Sequence, residues 1–95
     1  MWIPDSTDPA YPLKLRLTAG VVKTIGRGAT SDFVVDGSFL SRVHCRLTAT
    51  SKNLVVEDLK STNGTFVNDA RVGRASLMNG DRLRLGRIEF EVSTN

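Results

Sequence analysis

Five residues suited to holding an anion fall in three short groups that are otherwise rich in turn-forming residues: Arg27, Ser41, Arg42, Thr62 and Asn63. An arginine guanidinium carries a charge that does not titrate, and its planar fork fits a phosphate group. Serine and threonine hydroxyls are short donors, and an asparagine amide both donates and accepts hydrogen bonds. Side chains of these types could grip a phosphate and hold a neighbouring peptide backbone.

The same residues also have a purely structural interpretation. Arg27 follows an apolar run and could be a solvated residue at the end of a strand. Ser41 could begin a turn, and Thr62-Asn63-Gly64 has ordinary turn composition. The residue types alone therefore leave both phosphate binding and simple turn formation open.

The residues that could support catalysis are few, since the chain has one histidine, His44, and one cysteine, Cys45. Neighbouring residues of a strand point to opposite faces of the sheet, so these two cannot form a nucleophile–base pair. They are also too few to build a zinc site, and Glu57 and Asp58 are adjacent rather than opposed. We expect no catalytic residue, no metal and no cofactor, with His44 bracing the loops and Cys45 filling the core.

The elements that position these residues are predicted to be short strands. Apolar residues alternate with polar ones, as in Leu13, Leu15 and Leu17, and no window has helical spacing. The predicted strands lie near residues 13–18, 21–25, 33–35, 43–48, 54–58, 65–67, 82–85 and 88–92. Asn79-Gly80 is typical of a tight hairpin turn. The pattern predicts an all-β fold, an antiparallel sandwich or barrel, in which turns at strand ends can cluster at one rim.

The length and composition favour one domain. A chain of 95 residues can bury a single core. Residues 1–10 contain two prolines and two aspartates without periodicity, so we predict a tail or extended lead-in there, and the domain at residues 11–95.

The charge and the single cysteine limit the compartment and the partners. The net charge is +3, yet no run of consecutive Lys or Arg exists, so nucleic acid is not an expected partner. One cysteine allows no internal disulfide, which favours a reducing compartment. No signal peptide or apolar span of roughly 20 residues is visible, so we expect a cytoplasmic or nuclear location away from membranes.

Taken in order, the motifs resemble those of the forkhead-associated (FHA) domain family. The family pattern is similar to Gly26-Arg27, Ser41-Arg42-Val43-His44, Thr62-Asn63-Gly64-Thr65 and Val67-Asn68, followed by a late hairpin similar to Asn79–Gly86. The resemblance covers nearly the whole chain, from about residue 13 to residue 92. It implies a small antiparallel β-sandwich that binds phosphothreonine peptides through loops at one end, and that is a recognition module, not an enzyme.

The resemblance also implies roles for individual residues. Arg27, Ser41, Arg42 and Thr62 match positions on the phosphate side of the site, and Asn63 matches the residue that hydrogen-bonds the peptide backbone. Three further residues match positions that shape the loops: Gly26, His44 and Gly64. The implied partners are a Thr-phosphorylated protein or peptide and a Ser/Thr kinase or its substrates.

An alternative function keeps the fold and binds partners without phosphate, for example by self-association. It is motivated by Phe39 and Leu40, which lie beside the candidate site and would form an apolar contact patch if both were exposed. We expect a monomer, and self-association is the competing hypothesis.

Overall fold

The computed structural model describes residues 1–37 and 39–95, and within those ranges it contains strands and no helix. The strands are β1 Trp2–Ser6, β2 Val22–Gly26, β3 Phe33–Val34, β4 Cys45–Ala49, β5 Leu54–Asp58, β6 Thr65–Val67, β7 Ala70–Arg71, β8 Arg74–Leu77, β9 Arg82–Leu85 and β10 Ile88–Thr94. The described part of the chain accordingly has no helix of the length and apolar character that crossing a membrane requires.

The strands form two sheets of five strands each. One sheet has the order β1-β10-β9-β6-β7 and the other β3-β2-β4-β5-β8. All neighbouring pairs are antiparallel except β2 and β3, which run parallel. The prediction of an all-β antiparallel sandwich is confirmed, with this one parallel pair as a departure.

The core lies between the sheets and follows the alternation of the sequence. In β4 the residues Cys45, Leu47 and Ala49 are buried, while the two between them are only partly buried. Leu83 and Phe90, from the facing sheet, are also almost fully buried. Burying one large apolar side chain stabilises the fold by about 1.5–3 kcal/mol, so this alternation holds the two layers together. Burial raises the pKa of the Cys45 thiol, so this cysteine is an unreactive core residue.

The N-terminal segment is part of the sandwich, because Trp2–Ser6 form the strand β1. This strand pairs with β10 from Trp2↔Thr94 to Ser6↔Phe90. The Trp2 side chain is buried, and its indole Nε1 donates to the carbonyl of Thr50 at 2.8 Å. Of the two predicted forms of residues 1–10, a tail or an extended lead-in, β1 has the extended conformation. The sequence conceals the pairing, because the segment has two prolines and no apolar periodicity. In the structure, Pro4 lies opposite Val92 without disturbing the register.

Three local features of the structure differ from what the sequence indicates. Residues 13–18, predicted as a strand, do not form a continuous one, and only Lys14 and Leu17 make isolated bridges, to Asp5 and Trp2 of β1. The edge strands β7 and β8 were not predicted, because two and four residues are too few for a pattern to identify them. Asn79-Gly80 does form a turn, in which Asp81 N–H donates to the carbonyl of Met78 at 3.1 Å. That turn crosses between sheets, because β8 pairs with β5 while β9 pairs with β10, so it is not a hairpin.

The pairing register places three loops at one end of the sandwich. Ile25 lies opposite Cys45, and Cys45 lies opposite Asp58. The end of β2, the start of β4 and the end of β5 are therefore neighbours. The loop after β2, the loop before β4 and the loop between β5 and β6 all leave the sheets at this edge; we call them the first, second and third loops.

Replacing Trp2 with alanine tests the role of β1 in the core. We expect Trp2→Ala to lower the free energy of unfolding by about 3 kcal/mol or more, because it empties a buried aromatic site. Urea denaturation followed by circular dichroism measures the change without relying on the lost indole. As a control, Val22→Ala removes methyl groups from a side chain that is 51% exposed and should cost less than about 0.5 kcal/mol. Equal effects of the two substitutions would contradict the placement of β1.

Candidate functional site

Ser41 is the point at which the three loops meet. Its carbonyl accepts the backbone N–H of Arg27 at 2.9 Å, and its Oγ accepts the backbone N–H of Thr62 at 3.0 Å. The Arg27 Nε donates to the carbonyl of Leu40 at 3.1 Å, which holds the guanidinium beside the second loop. The structure thus brings Arg27, Ser41 and Thr62 together, although they are far apart in sequence.

Gly26 allows the first and second loops to approach closely. A Cβ at this position would lie 2.1 Å from the carbonyl oxygen of Arg42 and 2.6 Å from Oγ of Ser31. That carbonyl accepts the N–H of Gly28 at 2.8 Å and the hydroxyl of Ser31 at 2.7 Å. The backbone of Arg42 is therefore fixed against the first loop, while its side chain is exposed.

His44 joins the second loop to the third from beneath. Its Nδ1 accepts the backbone N–H of Ser41 at 3.1 Å, so the ring proton belongs on Nε2, which donates to the carbonyl of Gly64 at 2.8 Å. The side chain is fully buried. A buried ring that satisfies one donor and one acceptor fixes the separation of the two loops.

The third loop reaches back over the second. The Asn63 Nδ2 donates to the carbonyl of Phe39 at 3.0 Å. Gly64 has a φ of +92°, a conformation that only glycine adopts without strain. Its N–H donates to Oγ of Ser61 at 3.1 Å. Asn63 is thereby held at the surface between the two loops, next to Thr62.

Three residues that support the third loop were not found from the sequence. The Asp58 carboxylate accepts hydrogen bonds from the Ser61 hydroxyl, from the Ser61 N–H at 3.1 Å and from Oγ1 of Thr65 at 2.8 Å. Ser61 and Thr65 are buried. The signal that could have indicated this network is an Asp three residues before a Ser, a spacing at which a carboxylate caps a turn.

The ionisation of Asp58 follows from this network. Burial alone would raise the pKa of its carboxyl, but the hydrogen bonds from Ser61 and Thr65 outweigh that effect and lower the pKa below the ordinary value of 3.8. At neutral pH the carboxylate is charged and accepts all three bonds. It anchors the loop from below and does not reach the surface where Arg27 and Arg42 are exposed.

The exposed side of the loop junction presents donors that are not engaged. Within residues 1–37 and 39–95, the Nη atoms of Arg27, the guanidinium of Arg42 and the hydroxyl of Thr62 have no acceptor within hydrogen-bond distance. Over the same ranges, neither arginine has a carboxylate within ion-pair distance, since the ion pairs lie elsewhere. The junction is therefore a positively charged surface with spare donors, suited to an anion with several acceptor oxygens.

Phe39 and Leu40 do not form the exposed apolar pair that the alternative hypothesis requires. Leu40 is 4% exposed and belongs to the core, while Phe39 is 38% exposed. The Arg87 guanidinium lies 3.9 Å from the centre of the Phe39 ring. Both apolar residues line a cleft of about 240 Å³ together with Tyr11 and Ile88. The condition for that hypothesis is not met, because the Leu40 side chain turns inward onto Gly37.

The comparisons with known proteins assign the chain to a family. The model of the FHA domain matches residues 23–86, which include all three loops. The chain therefore belongs to the FHA domain family.

Similar proteins include longer bacterial relatives. The chain is 41% identical over 74 residues to the ABC transporter ATP-binding/permease protein Rv1747 of Mycobacterium tuberculosis, covering 78% of this chain and 8% of that protein. It is 37% identical over 81 residues to the transcriptional regulatory protein EmbR of the same species, covering 84% of this chain and 20% of EmbR. The chain thus spans only a small part of these relatives.

Solved structures share the whole architecture. One, from a structural and functional analysis of phosphothreonine-dependent FHA domain interactions, superposes with a TM-score of 0.88 at 32% identity, covering 99% of this chain and 96% of that one. The FhaA FHA domain, solved with the intracellular domain of Rv3910, gives 0.85 at 33% identity, covering 97% and 99%. Mycobacterium tuberculosis EmbR, solved with a low-affinity phosphopeptide, gives 0.84 at 30% identity, covering 97% and 24%.

Substituting Asp58 tests the support beneath the third loop. We expect Asp58→Asn to lower the free energy of unfolding at pH 7 by about 1–3 kcal/mol, because an amide cannot accept all three hydrogen bonds. Since the pKa of Asp58 is lowered in the folded state, its contribution is present above about pH 4 and is lost as the pH falls through the folded-state pKa. The difference between wild type and variant should therefore shrink in acid.

Urea denaturation at several pH values measures this difference. Asp69→Asn is the matched control, because Asp69 is an exposed turn residue, and its effect should be small at every pH. A difference for Asp58→Asn that stays constant from pH 7 to below pH 3 would contradict the assigned role of the charge.

Proposed function

We propose that this chain is a phosphothreonine-dependent module that recognises peptides or proteins downstream of Ser/Thr kinases. The observation that carries the proposal is the convergence of unengaged donors at the loop junction around Ser41. A phosphothreonine carries about −1.5 to −2 charges and three strong acceptor oxygens near pH 7. Donors without acceptors and an acceptor-only dianion are complementary.

The phosphate is received by Arg27, Ser41, Arg42 and Thr62. Arg27 is fixed through its Nε, so its two Nη groups are already oriented before the ligand arrives. The Ser41 hydroxyl oxygen accepts the Thr62 N–H, which leaves the hydroxyl hydrogen to point toward the phosphate. Because the loops are ordered in advance, binding costs little conformational entropy.

The peptide backbone is received by Asn63. Its Nδ2 is bonded to the carbonyl of Phe39, and its Oδ1 has no donor within the part of the chain that the structure describes. In the complex, Oδ1 accepts a backbone N–H beside the phosphothreonine. His44 and Gly26 act indirectly by holding the loops at the required separation.

The partners we propose are a Thr-phosphorylated protein or peptide and the Ser/Thr kinase that produces it or its substrates. The similarity to FHA domains studied for phosphothreonine-dependent interactions, and to EmbR solved with a phosphopeptide, supports this proposal. The domain binds and does not catalyse. A cytoplasmic or nuclear location agrees with a single buried, unpaired thiol. The hypothesis of phosphate-independent self-association requires both Phe39 and Leu40 to be exposed, and Leu40 is buried.

Calorimetry with one peptide in phosphorylated and unphosphorylated form tests the proposed function. We expect the phosphothreonine form to bind at least about a hundredfold more tightly, since several charge-assisted hydrogen bonds are each worth about 1.5–3 kcal/mol. Equal affinity for the two forms would contradict the proposal.

Substitutions at the loop junction separate binding from folding. Arg27→Ala should weaken phosphopeptide binding by about tenfold or more, because it removes the oriented guanidinium. Arg27→Lys keeps the charge without the planar fork, so its affinity should lie between those of wild type and Arg27→Ala. Arg16→Ala removes an exposed arginine that the register places near the opposite end, and should bind like wild type. A melting temperature that drops strongly in Arg27→Ala would instead assign a structural role to Arg27.

A further inference from the structure

Two arginines flank a phenylalanine on the outer face of the β1-β10-β9-β6-β7 sheet. Phe66 of β6 lies opposite Arg71 of β7 and, on its other side, opposite Arg84 of β9. The Arg84 guanidinium lies 3.9 Å from the centre of the Phe66 ring. These three residues, which we call the arginine–phenylalanine row, place two guanidinium groups on one face of the sheet.

The row adjoins the third loop. A Cβ on Gly64 would lie 3.0 Å from Nε of Arg71 and 3.0 Å from Cε1 of Phe66, so both side chains contact this glycine. On the other side, Nη1 of Arg84 donates to the carbonyl of Gly86 at 3.1 Å, and Gly86 N–H donates to the carbonyl of Gly64 at 3.3 Å. Gly64 directly follows Asn63, so the row lies next to the candidate site.

The charge of the row is not balanced by the rest of the sheet. Over the described ranges, neither Arg71 nor Arg84 has a carboxylate within ion-pair distance, because the ion pairs involve other cations. The acid that lies opposite Arg84 on β10 is Glu89, and its carboxylate pairs with Arg82 at 3.3 Å. Two cations held beside one ring without a counter-ion form a surface complementary to a carboxylate.

We propose that the arginine–phenylalanine row binds an acidic side chain of the same phosphopeptide, within a few residues of the phosphothreonine. This inference rests on the proposed function, since it requires a peptide held by Asn63. The segment of peptide that passes over Gly64 lies beside Arg71, and Arg84 lies on the other side of the Phe66 ring. The row therefore selects ligands with aspartate or glutamate on that side of the phosphothreonine.

A set of phosphothreonine peptides tests the proposal by calorimetry at low salt. One peptide has alanine at the flanking positions, two carry glutamates on the N-terminal or the C-terminal side, and two carry lysines there. We expect glutamates on one side to tighten binding by about two- to fivefold relative to alanine, as for partly exposed ion pairs. Lysines on the same side should weaken binding, and the advantage of glutamate should fall at high salt.

The variants locate the effect. Arg71→Gln with Arg84→Gln should abolish the glutamate advantage while leaving the affinity for the alanine peptide within about twofold. Arg71→Gln alone should reduce the advantage, and it disturbs no hydrogen bond between described residues, unlike Arg84→Gln, which loses the bond to Gly86. Arg16→Gln is the charge-matched control and should retain the full advantage.

Two results overturn the inference. One is equal binding of glutamate and alanine peptides by the wild type, and the other is a glutamate advantage that survives in the double variant as it does in Arg16→Gln. Loss of phosphate dependence with the alanine peptide contradicts the proposed function itself. Retained phosphate dependence without a glutamate advantage contradicts only the inference that the arginine–phenylalanine row binds an acidic side chain, and leaves the proposed function standing.

Discussion

The buried imidazole of His44 is the interaction on which the binding end of the sandwich depends. It accepts a hydrogen bond from the backbone of Ser41 and donates one to the backbone of Gly64, so two loops share one rigid ring. The ring is fully buried, and both of its nitrogens are used. A shift of either loop would leave a buried polar atom unsatisfied, which costs about 1–3 kcal/mol.

This constraint explains how a small all-β domain can hold the three loops of the candidate site in fixed positions. The first loop is fixed to the second by the close approach of Gly26 to the Arg42 carbonyl. The third loop is fixed from below by the Asp58 carboxylate and from above by Asn63. The backbone interactions and the buried side chains are thus satisfied within the domain, and the exposed side chains of Arg27 and Thr62 are left for a ligand.

The sequence predicts much of this arrangement because the determinants are local. Alternating apolar residues identify strands such as β4 and β10, and the ends of those strands place the loops. The sequence does not predict the edge strands β7 and β8, which are two and four residues long and depend on the strands beside them. It also misses β1, whose position is set by burial of Trp2 rather than by a pattern.

The residues of the candidate site can be proposed from the sequence, but most of the contacts that support them cannot. Turn composition and arginine chemistry indicate Arg27 and Ser41. The spacing of Asp58 and Ser61 is a signal for a capped turn, whereas the bond from Thr65 to Asp58 depends on side-chain directions that a linear pattern does not contain. The sequence likewise leaves open whether Phe39 and Leu40 are exposed, and in the structure Phe39 is partly exposed while Leu40 turns into the core.

A crystal structure of the domain with a phosphothreonine peptide tests the central claim most directly. We predict that the phosphate lies at the junction of the three loops, within hydrogen-bond distance of the Arg27 Nη atoms and of the Ser41 and Thr62 hydroxyls. The loop backbone should move by less than about 1 Å, as expected for a preorganised site. A phosphate bound elsewhere on the domain, or loops that must rearrange before Arg27 reaches it, would contradict the account.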